Sequence, residues 1–344
     1  MFEYLTQQEV YSQPEALKKT LDYLLENREK ITGFFRSYKG RRIVVMGCGS
    51  SAMLARSARM IFEKSGEPVS SITGGEYLVK PESYAHLIKD SIVVILSRSG
   101  MTTEILRAAR TMSENSNAVF LSVTMKEEND LLPVCQLNLL MPWAYDHSVC
   151  QTRTVSNLYL TILLLQAFRS EDSKLEEAAI QAEEDSSVFL NENRALLENV
   201  AKRDFDRAVV LSDGPMGGIG EEAALAFTEI SMLPGAHFGV LDYRHGPIVL
   251  HGPKTLTLVL LRPADNSYQQ DMLEDLSKTG CILVTVGGDG EKSQLNLPVK
   301  TVKDDCALGL YLIWTAQVLA LAKALECGKN PDQPAGLDAY IALK

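Results

Sequence analysis

The sequence predicts an α/β protein with two doubly wound parallel sheets in tandem, each flanked by helices, and three observations carry that prediction. Short β-branched apolar runs alternate with helical stretches of about 10–15 residues, the pattern of a parallel sheet covered on both faces. Strands are followed at once by glycine- and hydroxyl-rich turns that lead into helices. The second half also opens as the first does, with strand, glycine turn and helix, which reads as an internal duplication of one α/β unit.

At 344 residues the chain has room for two ordinary domains. Its 46% hydrophobic and 23% charged content is that of a globular protein. A net charge of -10 repels nucleic acid and anionic membranes, so neither is expected as a partner, although a local basic patch can still hold a small anion. The polar N-terminus lacks a basic region followed by an apolar core, and no uninterrupted apolar run reaches about 18 residues, so a cytoplasmic location is expected. Cys48, Cys135, Cys150, Cys281, Cys306 and Cys327 show no CxxC pair or finger spacing, which points to reduced, mostly buried thiols without structural zinc.

Residues 15–35 carry Leu17, Leu21, Leu24, Leu25, Ile31 and Phe34 at helical spacing and predict a surface helix leading into the first domain. Residues 42–46 form a strand, broken by Gly47-Cys48-Gly49-Ser50-Ser51 before a helix over 52–64; the glycines let the backbone approach a ligand, and the serines offer caps or hydroxyls. This turn partly matches a dinucleotide fingerprint, with Glu76 as the distant acid. A second turn of the same kind, Ser97-Arg98-Ser99-Gly100-Met101-Thr102-Thr103-Glu104, fits a compact sugar phosphate better than an extended dinucleotide. It follows the strand at 91–96 and opens a helix over 105–112, so free N–H groups and the positive end of the helix dipole meet hydroxyl donors there. Serines and threonines at such a place also serve as ordinary N-caps, and that alternative stays open at this point.

Strands are predicted at 118–123 and 137–141. A polar loop at 146–154, containing His147, then enters an apolar helix over 158–168. His147 is read as a surface histidine before it is read as a catalytic one. Residues 171–200 read as a solvated helical connector. The second half gives a strand at 207–211, a turn rich in glycine, a helix over 219–232, strands at 256–261 and 281–286, and helices over 270–279 and 307–326. Leu261-Arg262-Pro263-Ala264-Asp265 stands where the first half has its serine turn, so only the first half is expected to hold an anion. The boundaries are 1–170, 171–200 and 201–344.

Glu222, Ala226 and Glu229 fall on nearly one helix face, and His245 follows in Tyr243-Arg244-His245-Gly246-Pro247. A carboxylate with an imidazole suits a proton shuttle between adjacent sugar carbons together with ring opening. The competing reading makes the glutamates a solvated stripe and the histidine a turn residue.

At these residues the chain resembles the sugar isomerase (SIS) family, in particular double-SIS phosphosugar enzymes such as the isomerase domain of glucosamine-6-phosphate synthase and the tagatose-6-phosphate ketose/aldose isomerase-like branch with its amino-sugar phosphate deaminases. The matching segments are Ser12 to Leu17, Gly47 to Ser51, Ser97 to Thr102, Ser148 to Thr154, the Glu222 to Glu229 helix, Arg244-His245-Gly246-Pro247, and Asn330-Pro331-Asp332-Gln333-Pro334. The resemblance implies two tandem SIS domains and a phosphosugar isomerase or amino-sugar phosphate deaminase/isomerase acting on a hexose 6-phosphate through an enediol(amine), without metal or nucleotide cofactor. It implies that Ser50, Ser51, Ser97, Ser99 and Thr102 hold the phosphate, with Val149 near the sugar. Glu229 carries the proton, His245 opens the ring, from its own chain or across a dimer interface, and Glu222 supports. A homodimer or higher homo-oligomer follows. Two family lysines are replaced by Ala226 and Ala339, with Lys344 at a different position, which removes Schiff-base participation. The chain is also expected to lack the synthase's glutamine-hydrolysing domain. A fructosamine-6-phosphate deglycase and a non-catalytic phosphosugar sensor are the alternatives.

Overall fold

A computed structural model describes residues 2–264, 266–299 and 302–343, so Asp265 and Lys344 of the sequence reading lie outside the described residues. Three helices open the chain: α1 (Leu5–Tyr11), α2 (Gln13–Glu26) and α3 (Arg28–Ser37). The single helix expected over 15–35 is interrupted at Asn27, which takes a non-helical φ/ψ and donates its amide back to the preceding turn.

The first sheet contains β1 (Ile43–Gly47), β2 (Val69–Thr73), β3 (Ile92–Ser97), β4 (Val119–Thr124) and β5 (Leu137–Leu140), all parallel, in the order β2-β1-β3-β4-β5. Its central strands are buried along their whole length, hence the continuous apolar runs. Helices α4 (Ser50–Glu63), α5 (Gly74–Val79), α6 (Ala85–Ile88), α7 (Thr103–Asn115) and α8 (Arg153–Ser170) accompany it. Next comes α9 (Ser173–Ala201).

The second sheet is built from β6 (Arg207–Leu211), β7 (Gly235–Phe238), β8 (Thr255–Leu260), β9 (Ile282–Gly287) and β10 (Leu295–Pro298), again parallel, in the order β10-β9-β8-β6-β7. Counted from its own first strand, this is the order of the first sheet. Its helices are α10 (Gly217–Glu229), α11 (Ser267–Ser277) and α12 (Leu308–Glu326). The duplication read from the sequence therefore reappears as a repeated topology.

Two expectations change. Residues 171–200 are not a solvated spacer: α9 buries Leu175, Ala178, Ala179, Ala182, Phe189, Leu190 and Leu197, with the Phe189 ring against Tyr311 and Trp314 of α12. Most of its acids are exposed or half-buried, Glu183 being buried, while alanines supply an inner face that composition alone hides. The edge strands β2, β7 and β10 are absent from the sequence reading because Val-Ser-Ser-Ile-Thr, Gly-Ala-His-Phe and Leu-Asn-Leu-Pro lack a strong β-branched run.

One apolar core runs through both halves, joining α2, α8, α9 and α12 to the inner faces of the sheets. Helix α12 is long and apolar enough to cross a membrane by length and composition, but its apolar window is 89% buried inside the protein. The halves also meet directly through α4 and α10. A Cβ on Gly218 would lie 2.1 Å from the Met53 carbonyl oxygen, and the Ile219 amide donates to Ser57 Oγ at 2.9 Å. Glycine is required there because the two helix backbones touch.

Candidate active site

The turn after β3 is closed by its own hydroxyls. Ser97 Oγ accepts from the Gly100 amide at 3.0 Å and Ser99 Oγ from the Met101 amide at 3.1 Å. Gly100 has φ +63°, and a Cβ on it would fall 2.5 Å from the Asn129 side chain, so glycine is dictated by backbone sign and by space. Thr102 is the N-cap of α7 but makes no side-chain capping bond, and α4 is preceded by Gly49 rather than capped by Ser50 or Ser51, which are its first two residues. Neither helix start has a side-chain N-cap bond, while Ser97 and Ser99 bond amides of their own turn. Ser50, Ser51, Ser97 and Ser99 are buried, at the carboxyl ends of neighbouring strands β1 and β3, where ligands of open parallel sheets bind. Ser51, Ser97, Ser99 and Thr102 line a cavity of about 30 Å³ together with Cys48, Arg98, Gln151 and Ala339.

Glu76, the distant acid of the dinucleotide reading, is engaged elsewhere. Its carboxylate accepts from the Thr73 amide at 3.0 Å while its own amide donates to Thr73 Oγ1 at 2.9 Å, a complete capping box on α5.

The loop over 146–152 is held by groups the sequence reading passed over. Asp146, buried, accepts from the amides of Thr152 and Thr154 at 2.8 and 2.9 Å. Glu9 on α1, 2% exposed, accepts from the His147 amide at 2.5 Å and from the Ser148 amide at 3.2 Å, and it takes the Ser148 hydroxyl as well. Burial and the Asp146 charge push the Glu9 carboxyl upward. Asp332 of the Asn330 to Pro334 segment ties the same region together: its carboxylate accepts from Leu5 and Thr6, and its carbonyl from the Val149 amide at 3.1 Å. No local pattern announces the bonds of Glu9 and Asp332, since they join residues more than a hundred positions apart. His147 stays exposed, with its ring against Tyr145 and its amide on Glu9.

The glutamates of α10 are not a solvated stripe. Glu222 is 2% exposed, and one of its carboxylate oxygens has no hydrogen-bond partner. Burial first, and then the Glu229 charge, raise its carboxyl well above the usual range, while the neighbouring Ser50 hydroxyl acts the other way. Glu229 is half-buried and pushed up to about 6 by desolvation, with the Arg98 guanidinium pulling it back. Cys150, buried, is raised by burial and then by Glu229, against Arg98. The acid helix of the second half and the serine turns of the first therefore share one electrostatic neighbourhood around Ser50, Arg98, Cys150, Glu222 and Glu229. A carboxyl near 6 beside one raised further by burial is suited to exchange a proton near neutral pH.

His245 is not joined to this cluster by any hydrogen bond or ion pair among the described residues. It is exposed, its amide donates to the Asp242 carbonyl at 2.9 Å, and it lies beside Leu241, Val249 and Leu250, which are also exposed. Ala226 is buried between the two glutamates. Val149, half-buried, presents its carbonyl to Arg98.

Residues 38–170, which hold the first sheet, match the family model of the SIS domain. Over its length the chain is 25% identical to the D-galactosamine-6-phosphate deaminase AgaS of Shewanella sp. (strain ANA-3), covering 96% of this chain and 88% of that protein. It is 24% identical to the glutamine–fructose-6-phosphate aminotransferase (isomerizing) of Wigglesworthia glossinidia brevipalpis, covering all of this chain but only 59% of that enzyme. Among solved structures, it superposes on glucosamine-6-phosphate deaminase from Thermotoga maritima with a TM-score of 0.83 at 25% identity, covering 98% of this chain and 100% of the other. Tagatose-6-phosphate ketose/aldose isomerase from Escherichia coli shares the fold, with a TM-score of 0.82 at 18% identity and 97% of each chain covered. The chain thus matches the SIS domain model over residues 38–170 and is similar along its length to a galactosamine-6-phosphate deaminase and a glucosamine-6-phosphate deaminase.

Proposed function

We propose that the protein is a phosphosugar isomerase or amino-sugar phosphate deaminase/isomerase that acts on a hexose 6-phosphate through an enediol(amine) intermediate. The observation that carries this reading is the carboxylate pair of α10, Glu222 buried and Glu229 half-buried, which Ser50 and Arg98 influence from the hydroxyl turns of the first half. The phosphate is held by Ser50, Ser51, Ser97, Ser99 and Thr102 at the N-termini of α4 and α7, with Val149 near the sugar. Glu229, as carboxylate, removes the proton from one carbon and returns it to the next; in the deaminase direction it takes the proton from the amine-bearing C2 and returns it to C1, leaving a C2 imine to which water adds, so that ammonia departs as C2 becomes the ketone carbon. Glu222, kept protonated, supports it as a hydrogen-bond donor.

The second half is read as a second SIS domain, on the strength of its repeated strand order. His245 is assigned to ring opening, supplied by a second copy of the chain in a homodimer. Its own chain leaves it exposed, on a segment where Leu241, Val249 and Leu250 are exposed as well, which is where a self-complementary contact would form.

The test is turnover of hexose 6-phosphates with and without a 2-amino group, following ketose formation and ammonia release. Conversion of either kind supports the proposal. Amino-acid release from a fructosamine 6-phosphate alone makes the protein a deglycase. Thermal protection by phosphosugars without any conversion makes it a sensor.

A further inference from the structure

Glu229 is the last helical residue of α10, a place where helices fray first because the carbonyls of the final turn have no partner within the helix. The chain just past it takes a demanding shape. Met232 has φ +51°, a left-handed conformation that helix ends ordinarily give to glycine. The turn closes on the Phe227 carbonyl, which accepts from the Leu233 amide at 3.2 Å and from the Ser231 hydroxyl at 2.6 Å. The Ser231 and Met232 carbonyls both go to one side chain: the Lys329 ammonium donates to them at 2.9 and 3.1 Å.

Lys329 comes from the far end of the chain and is itself fixed, since its amide donates to the Ala324 carbonyl at 2.9 Å in the last turn of the buried helix α12. Three residues on, the same stretch makes its opposite attachment. The Asp332 carbonyl accepts from the Val149 amide at 3.1 Å, and the Pro331 carbonyl accepts from Thr6 Oγ1 at 3.1 Å and from Cys150 Sγ at 3.9 Å. The Asp332 carboxylate meanwhile holds the Leu5 and Thr6 amides at the start of α1. Between the two anchors, the Asn330 side chain accepts from the Asp332 amide at 2.9 Å and stiffens the link. Three residues span at most about 11 Å, so the end of α10 and the loop carrying Val149 are joined by a short tether bonded at both ends. A lysine on a helix end by itself stabilises that helix and nothing more. Here the second attachment lies on the other half of the chain.

We propose that Lys329 is a positioning residue, and that the stretch 329–332 is a brace holding the Glu229 end of α10 and the Val149 loop at a fixed separation. The carboxylate that moves the proton and the loop beside the sugar belong to different halves, and this stretch bonds both. The inference rests on the roles given above to Glu229 and Val149, but part of its test reads no turnover.

The experiment pairs amide hydrogen exchange in the full chain, read by mass spectrometry, with steady-state kinetics. Lys329→Met removes the ammonium and keeps the stem. It is expected to speed exchange roughly tenfold at 230–233 and, across the brace, at 147–151, with β3 and β9 unmoved. Lys329→Arg, which keeps the charge and the donors, is expected to stay within about twofold of wild type. In turnover, Lys329→Met is expected to lower kcat roughly tenfold at unchanged KM, while calorimetry with a hexitol 6-phosphate still finds the wild-type number of sites; that stoichiometry separates a misplaced Glu229 from a loss of folded protein. If Lys329→Met does not fold, Lys329→Gln, with a shorter neutral donor, is read the same way. Faster exchange at 230–233 alone makes Lys329 a helix cap and overturns the proposal, as does exchange that rises everywhere or a kcat that falls only in step with the stoichiometry. A wild-type chain that turns over no phosphosugar while exchange behaves as stated overturns the catalytic reading and leaves the brace standing.

Discussion

The turn after β3 and the turn after β8 occupy the same place in two sheets of the same strand order, yet they are built for different ends. The first is Ser-Arg-Ser-Gly, its hydroxyls folded back on its own amides and its arginine aimed inward at carbonyls. The second is Leu-Arg-Pro-Ala, with the Gln269 side chain tying the Arg262 amide and the Leu260 carbonyl, and Arg262 turned outward to Asp305. The second sheet holds its chemistry on α10 instead, the helix after its first strand. Position in a repeated topology therefore sets where a ligand can sit, and local side chains decide which copy receives it. On the proposed function the two halves are complementary rather than equivalent, one for the anion and one for proton transfer.

The largest effect that would sharpen this contrast is expected at Glu229. Glu229→Gln should lower kcat by about 10²–10⁴, the range for loss of a general base, with little change in KM; unchanged kcat removes the residue from the chemistry. Mixing Glu229→Gln with His245→Asn chains, each inactive alone, should restore about a quarter of the wild-type activity, since half the dimers are mixed and one site in each is intact. No recovery on mixing argues against a shared site. On the anion side, Thr102→Val should weaken substrate binding by roughly tenfold, seen as KM with kcat preserved, while the matching change Asn266→Ala before α11 should leave KM unmoved.

Smaller effects concern the joint between the halves. Gly218→Ala forces the α4 and α10 backbones apart and should cost about 1–3 kcal/mol in urea unfolding, with kcat falling as the carboxylates leave the serine turn. Glu222 gives the smallest signal. Its carboxyl titrates higher folded than unfolded, where it lies near 4.3, so the folded state holds the extra proton and stability falls as pH rises through that window. Glu222→Gln should therefore stabilise the fold at pH 8 and leave it nearly unchanged at pH 4; equal differences at both would show that Glu222 is not held protonated.

Much of this was legible in the chain. The central strands, the two hydroxyl turns and the Glu222/Glu229 face follow from local rules of burial period and turn chemistry, and each turned up where those rules put it. The edge strands did not, because edges need less apolar content and carry weaker patterns. The inner face of α9 was hidden by alanines among acids. Glu9 and Asp332 give no local sign of their role, since what makes them matter is a contact formed only after the chain closes on itself. Arg98 was visible as a letter in a motif, but its burial against three carbonyls from two distant segments was not.

A structure determined with a hexitol 6-phosphate bound addresses the division of labour most directly. The account predicts the phosphate on Ser97, Ser99 and Thr102 with the first two carbons within about 3–3.5 Å of the Glu229 carboxylate. A phosphate seated on the second sheet, or a sugar chain directed away from α10, would contradict it.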